Sequence, residues 1–183
     1  MKRDARQILT ELLVLRVQGR EGPAFTSLHD LWCGDVERMA MVSTGNVDAA
    51  REVAQETWIA VARGIGRLQD PACFPRWLFQ IVRRRSADFV RRRQRERDLV
   101  TEASREATET VEQSSAAPHR DSPLDAAIES LASADRELLG LYYEVGRSVM
   151  EIAEILEVPV GTVKSRLHSL RERLRNEMEK ETS

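Results

Sequence analysis

"EIAEILEVPVGTVKSRLHSLRERLR", residues 151–175, holds two apolar periodicities set almost end to end. Ile152, Ala153 and Leu156 mark the inner face of one predicted helix, over 148–156, and Val163 and Leu167 mark that of the next, over 159–178. Only Glu157 and Val158 separate them, and Pro159 suits the first turn of the second helix, where a missing N–H costs nothing. Two helices joined this tightly form the pattern of a helix-turn-helix. With Val163 at zero and about 100 degrees per residue, Leu167, Leu170 and Leu174 fall within about 40 degrees of it, a narrow inward stripe. Ser165 and His168 then point outward, with Lys164, Arg171 and Arg175 on one flank and Arg166, Ser169 and Arg173 on the other. A helix with one packed face and one face of donors is what a DNA major groove admits: base edges are read by its first half, and flanking cations hold phosphates.

Charge along the chain points the same way. The 183 residues carry a formal net charge of -2. Residues 76–97 hold nine Arg against Asp88 and Glu96, a balance of +7, and residues 163–175 have a balance of +4, which leaves -13 for the rest. Two basic islands in an acidic body predict two polyanion-facing surfaces rather than general stickiness.

Composition is 42% hydrophobic, 32% charged and 5% aromatic, dominated by helix formers, so the expected fold class is all-α. The N-terminal "MKRDARQILTELLVLRVQG" carries charges through its apolar positions and reads as neither a signal peptide nor a membrane span. A cytoplasmic protein without membrane insertion is expected. Cys33 and Cys73 are far apart and predict small core residues rather than a disulfide. His29 and Cys33 have the spacing of a two-ligand metal clip, but no CxxC or second His stands nearby, so no metal and no cofactor is expected. No Gly-rich phosphate loop or convergent catalytic pattern is visible, which argues against an enzyme.

Helices are predicted over 5–19, 23–43, 47–66 and from near Pro75 through 97, forming one N-terminal unit over residues 1–97. Residues 98–123 have six acids, two Arg and a Ser, Ala and Pro cluster, the composition of an acidic linker. Its first half, with Leu99, Ala103, Ala107 and Val111 at four-residue intervals, can extend the preceding helix. A second unit follows over 124–183, with helices at 124–131 and 134–144 before the pair described above.

Residues 151–175 closely resemble the promoter-reading end of bacterial RNA polymerase sigma factors of the extracytoplasmic-function type, a sigma-70 class. The N-terminal unit adds a second match: "VQGREGPAFTSLHDL" is similar to that family's opening helix pair, "VAQETWIAVARGIGRL" to its polymerase-binding helix, and "FPRWLFQIVRRRSADFVRRR" to its promoter-opening helix. The resemblance implies two small helical domains joined by an acidic linker, sigma region 2 with four helices and sigma region 4 with the helix-turn-helix. It implies binding to the largest catalytic subunit of core RNA polymerase through Glu52, Gln55 and Glu56, with Arg51 standing where the family has a second acid. It assigns the minus-10 promoter element to Phe74, Arg76, Trp77, Gln80, Arg83, Arg84 and Arg91, with Arg92 and Arg93 completing a phosphate track and Trp77 and Phe79 also suited to the core. Arg84 replaces a usual Asn, and Pro75 and Arg76 also depart from the family pattern, so base preference does not carry over. The minus-35 element falls to Thr162, Lys164, Ser165, Arg166, His168, Ser169 and Arg171, with Ser169 in place of a usual cation. The linker is expected to thread toward the polymerase active centre.

The implied function is a dissociable specificity subunit that brings polymerase to promoter DNA and helps melt it, monomeric when free. Members of that family are often held by a dedicated anti-sigma protein, which no residue here identifies. Two rivals are a stand-alone dimeric helix-turn-helix regulator and a protein-binding adaptor. A dimeric regulator has no need for a polymerase-binding helix followed by an Arg-rich, aromatic-bearing one.

Overall fold

A computed structural model describes residues 5–106 and 123–181, and all of its regular structure is helical. The first domain is built from α1 (Ala5–Gln18), α2 (Gly22–Thr44), α3 (Val47–Gly64) and α4 (Phe74–Glu106). Its boundaries follow local chemistry. Pro23 lies in the first turn of α2, and the helix stops where Gly45 turns left-handed, φ 66°, and donates its N–H to Met41 O. Asn46 then caps α3, its side chain accepting from Ala49 N at 3.0 Å.

The predicted third helix ran to residue 66, but the structure ends it at Gly64 and tightens Ile65–Arg67 into a single 3-10 turn. Packing explains the glycine there: a Cβ would lie 2.9 Å from the Trp77 ring, so Gly64 is where α4 comes against the end of α3. Asp70 caps a second short turn, Pro71–Cys73, that leads into α4. That helix crosses residue 97 and continues to Glu106, in line with the apolar spacing of Leu99 and Ala103. Ala107, Val111 and the rest of the expected linker through residue 122 lie outside the described residues.

Trp32 is the centre of the first core. It is 2% exposed, meets Phe74 and Phe79 edge-on with ring centroids 6.1 Å away in both cases, and donates its indole N–H to Thr10 Oγ1 at 3.1 Å. Val14, Leu28, Val36, Met39, Val53, Val61, Leu78 and Val82 close around it. The burial corrects two expectations. Phe74, assigned to DNA, is fully buried, so it offers no face to a base. Cys73, expected in the core, is exposed, while Cys33 is half-buried against the core.

The second domain comprises α5 (Pro123–Glu129), α6 (Ser133–Leu139), a π-helical segment Gly140–Glu144, α7 (Val149–Leu156) and α8 (Val160–Glu181). The helix predicted over 134–144 thus widens at Gly140, where Val145 N–H reaches Gly140 O at 2.9 Å. Ser148 and Glu151 form a reciprocal capping box at the start of α7. Glu157 adopts left-handed geometry, φ 56°, and Pro159 O accepts from Thr162 and Val163 N–H to begin α8. The core here is aliphatic: Leu138, Leu141, Ile152, Ile155, Val163, Leu167 and Leu170.

The two domains touch. α7 packs on α4, and α6 with the π segment packs on α2. No helix among the described residues is long and apolar enough to cross a membrane.

Candidate nucleic-acid interface

The recognition helix of the helix-turn-helix is α8. Val163, Leu167 and Leu170 are buried and Leu174 is half-buried, the stripe read from the sequence. Burial of this one stripe fixes the rotation of the helix and turns Lys164, Ser165, Arg166, His168, Ser169 and Arg171 to solvent, with Thr162 half-buried at the first turn. The Ser165 hydroxyl donates back to Thr162 O at 3.1 Å. Lys164, Arg166 and His168 make no hydrogen bond or ion pair among the described residues, so they are free to meet a partner. Arg171 differs. Its Nε donates to Tyr143 Oη at 2.8 Å, and the guanidinium lies 5.3 Å from the Tyr142 ring centre and 5.8 Å from that of Tyr143. The hydrogen bond with Tyr143 raises its pKa above the ordinary arginine value, and the arm is held against the tyrosines.

On α4 the assigned side chains fall on two faces. Trp77 lies half-buried over Phe74, ring centroids 6.1 Å apart, and packs against the core. Arg76, Gln80 and Arg83 face the second domain. Arg76 Nη2 and Gln80 Nε2 both donate to Glu157 Oε1, at 3.1 and 3.0 Å. Arg83 pairs with Glu137 and donates to Ile155 O at 3.1 Å. Burial pushes the Glu137 carboxyl above its ordinary pKa, and the Arg83 guanidinium opposes that shift only in part. Arg84 is exposed and has no ion pair among the described residues. Arg91 pairs with Asp88 at 2.5 Å.

Two more arginines of the expected phosphate track pair within the first domain. Arg92 turns to α3, where it pairs with Glu52 and lies 3.7 Å from Glu56, and Arg93 pairs with Glu96 at 3.9 Å. The acids of α3 are thereby laced to α4, with Arg85 3.9 Å from Glu56. Gln55 stays exposed beside a shallow hollow lined by Phe25, His29, Trp58 and Ile59. The His29 ring is 4.7 Å from that of Trp58, and no group of three metal-ligating side chains occurs among the described residues.

Sequence reasoning missed the residues that join the domains. Arg147, 11% exposed, reaches Asp35, 4% exposed, at 3.4 Å, and stands 5.3 Å from the Trp32 ring centre. Asp35 also pairs with Arg6 at 2.8 Å and with Arg38. Periodicity gives no hint of these, because an arginine in a loop and an aspartate on a helix are ordinary surface residues until the two domains meet. Buried Asp35 falls one turn from Trp32 on the inner face of α2, which was the one available signal.

Residues 31–96 match the family described as sigma-70 region 2, and residues 122–174 match sigma-70, region 4. Across 152 residues the chain is 32% identical to the ECF RNA polymerase sigma factor SigL of Mycobacterium tuberculosis, covering 81% of this chain and 85% of that protein. The chain belongs to the ECF sigma factors of RNA polymerase. A second relative, the ECF sigma factor SigE of Mycolicibacterium smegmatis, is 36% identical over 155 residues, 81% of this chain. The chain spans 59% of the length of that SigE and 37% of a probable RNA polymerase sigma factor RfaY of Xanthomonas campestris. Among solved structures, CnrH in complex with the cytosolic domain of CnrY superposes with a TM-score of 0.69 at 21% identity, covering 93% of this chain and 97% of CnrH, a likeness of fold. The role of this sigma factor is to direct RNA polymerase to promoters, a step of transcription initiation.

Proposed function

We propose that this ECF sigma factor divides its work among three surfaces: Glu52, Gln55 and Glu56 on α3 meet core polymerase, the outer face of α8 reads duplex DNA at the minus-35 element, and α4 takes the single strand opened at the minus-10 element. The observation that carries the reading is the contrast within α8. Three buried aliphatic side chains lock its rotation, and Lys164, Arg166 and His168 stand unpaired on the opposite face. Donors fixed in direction by a packed stripe are what base-edge readout requires, since a bidentate contact tolerates little error in angle. Glu52, Gln55 and Glu56 lie within two turns of one helix, Gln55 beside the hollow at Trp58 and Ile59 and the two acids on the side toward α4, so together they offer a mixed polar surface to a protein partner.

The strand surface on α4 comprises Arg76, Gln80, Arg83, Arg84 and Arg91, with Trp77 at its base and Phe74 withdrawn into the core. Cationic side chains along one helix suit a phosphate backbone that has left the duplex. By analogy with the sigma factor RpoE of Bartonella quintana, solved in complex with the anti-sigma factor NepR, a dedicated inhibitor is a further partner, and the sigma factor itself works in the cytoplasm with polymerase as a non-enzymatic subunit.

In vitro transcription with core enzyme on genomic fragments, followed by start-site mapping, tests the assignment. Promoter-specific starts that appear only when this chain is added are the expected result. Tight, specific footprints by the isolated protein, with no effect on polymerase, would overturn it in favour of a stand-alone regulator.

A further inference from the structure

Arg173 and Arg175 of α8 are each met by a carboxylate of the same helix, Glu177 at 3.4 Å and Glu172 at 2.8 Å. Arg171, on the flank it shares with Lys164, is met by no carboxylate among the described residues, and what holds it instead is neutral. Its Nε donates to Tyr143 Oη at 2.8 Å, and the guanidinium stands 5.3 Å from the centre of the Tyr142 ring and 5.8 Å from that of Tyr143. A carboxylate orients an arginine but cancels its charge, whereas a phenol hydroxyl and two ring faces orient it and leave the charge whole. An arm held in this way is still open to an anion.

Burial does not explain the tyrosine. Tyr143 is 57% exposed, so its ring adds little to the core. In a regular helix neighbouring side chains diverge by about 100°, yet Tyr142 and Tyr143 both come against one guanidinium, their own rings edge to face with centroids 4.9 Å apart. Both stand on the π segment Gly140–Glu144, a widened turn of the kind that recurs at functional sites. The donor that Tyr143 engages is Nε. That leaves the two Nη groups, the end of the guanidinium fork whose parallel N–H bonds match two oxygens of one phosphate. Arg171 also lies beyond the first two turns of α8, past the part of a recognition helix that reaches base edges.

We propose that Tyr143 is a positioning residue for DNA binding: with Tyr142 it holds Arg171 so that the Nη pair takes a single backbone phosphate of the duplex beside the minus-35 element. The proposal rests on the reading of α8 given above. It separates two kinds of donor on one helix. Lys164, Arg166 and His168 are unpaired among the described residues and settle on their contacts as DNA arrives, while Arg171 is set beforehand and fixes the register of the helix on the backbone. Pre-ordering one rotamer-rich side chain is worth about two- to tenfold in affinity, because its freedom is lost before binding rather than on it.

The test uses holoenzyme assembled from core polymerase and the full chain, titrated onto a labelled duplex that carries the upstream element of a mapped start site, over a series of salt concentrations. Tyr143→Phe keeps both rings and removes only the hydroxyl. It should weaken binding by about two- to tenfold and leave the salt dependence unchanged, because Arg171 keeps its charge. Arg171→Ala should weaken binding further and reduce the slope of log affinity against log salt by about one, the mark of one lost phosphate contact. Tyr143→Phe/Arg171→Ala should bind no more weakly than Arg171→Ala alone, since the tyrosine then has no arm to set. Unchanged affinity in Tyr143→Phe overturns the positioning role, and so does an additive loss in the double variant, which would put the tyrosine itself on DNA. If Arg171→Ala relaxes the preference at one base pair and leaves the slope unchanged, the phosphate assignment falls. Lys164→Ala separates the proposal from the reading beneath it: loss in Lys164→Ala without loss in Arg171→Ala sinks the proposal alone, and loss in neither sinks the reading of α8.

Discussion

The two regions proposed to face DNA in this sigma factor are built on different terms. In the second domain the reading face of α8 stands free: a thin aliphatic stripe fixes the helix, and Lys164, Arg166 and His168 have nothing to let go of before they bind. In the first domain the helix rests on a core of aromatic rings, and three of its strand-facing donors are engaged with carboxylates or a carbonyl of the other domain. A ready surface and an engaged surface call for different controls. The donors of the first are unpaired, whereas those of the second are already paired.

The heaviest way to break this contrast is through the aromatic core. Phe79 is fully buried against Trp32, and Phe79→Ala should cost about 3–5 kcal/mol by leaving a cavity that the neighbouring rings cannot fill. Thermal unfolding followed by circular dichroism checks it, and a loss below about 1 kcal/mol would show that the ring cluster is not the support assumed here. Next comes the free surface. Lys164→Ala should weaken recognition of the upstream element by about 1–3 kcal/mol per lost base contact and leave core polymerase binding unchanged, as measured by paired promoter and polymerase titrations. Equal loss in both would mean that the face has been misassigned.

A smaller effect separates the domains by stability alone. Ser148→Ala removes one half of the capping box of α7 and should cost about 1 kcal/mol, seen as faster amide exchange in α7 while the Trp32 core keeps its protection. The smallest effect concerns the laced acids of α3. Arg92→Ala should cost less than about 1 kcal/mol of stability, because its pairs with Glu52 and Glu56 are half-exposed, and it should free those acids for polymerase. Weaker polymerase binding in that variant would place Arg92 in the contact itself.

Much of this was legible before any coordinates. The stripe of Val163, Leu167 and Leu170 obeys helical periodicity, and periodicity is local, so the rotation of α8 and the identity of its outward residues followed from spacing. Phe74 and Cys73 exchanged their expected places because Cys73 ends the short turn and Phe74 opens α4, a junction where one residue of displacement decides between core and solvent. The pairing of Arg92 with Glu52 could not be read from α4 alone, because the placing of α3 beside it is a fact of tertiary packing. The engagement of Arg76, Gln80 and Arg83 was invisible for a deeper reason: their partners lie 81, 77 and 54 residues away in sequence, and no pattern within one helix encodes a partner in another domain.

Trp32 is flanked by two guanidinium groups, Arg6 of its own domain at 4.1 Å and Arg147 of the other at 5.3 Å. Indole emission is sensitive to charge held against the ring, and one of these two charges is lent by the other domain. With Trp58 and Trp77 replaced by Phe, the emission of Trp32 alone should report whether Arg147 keeps its place against the ring.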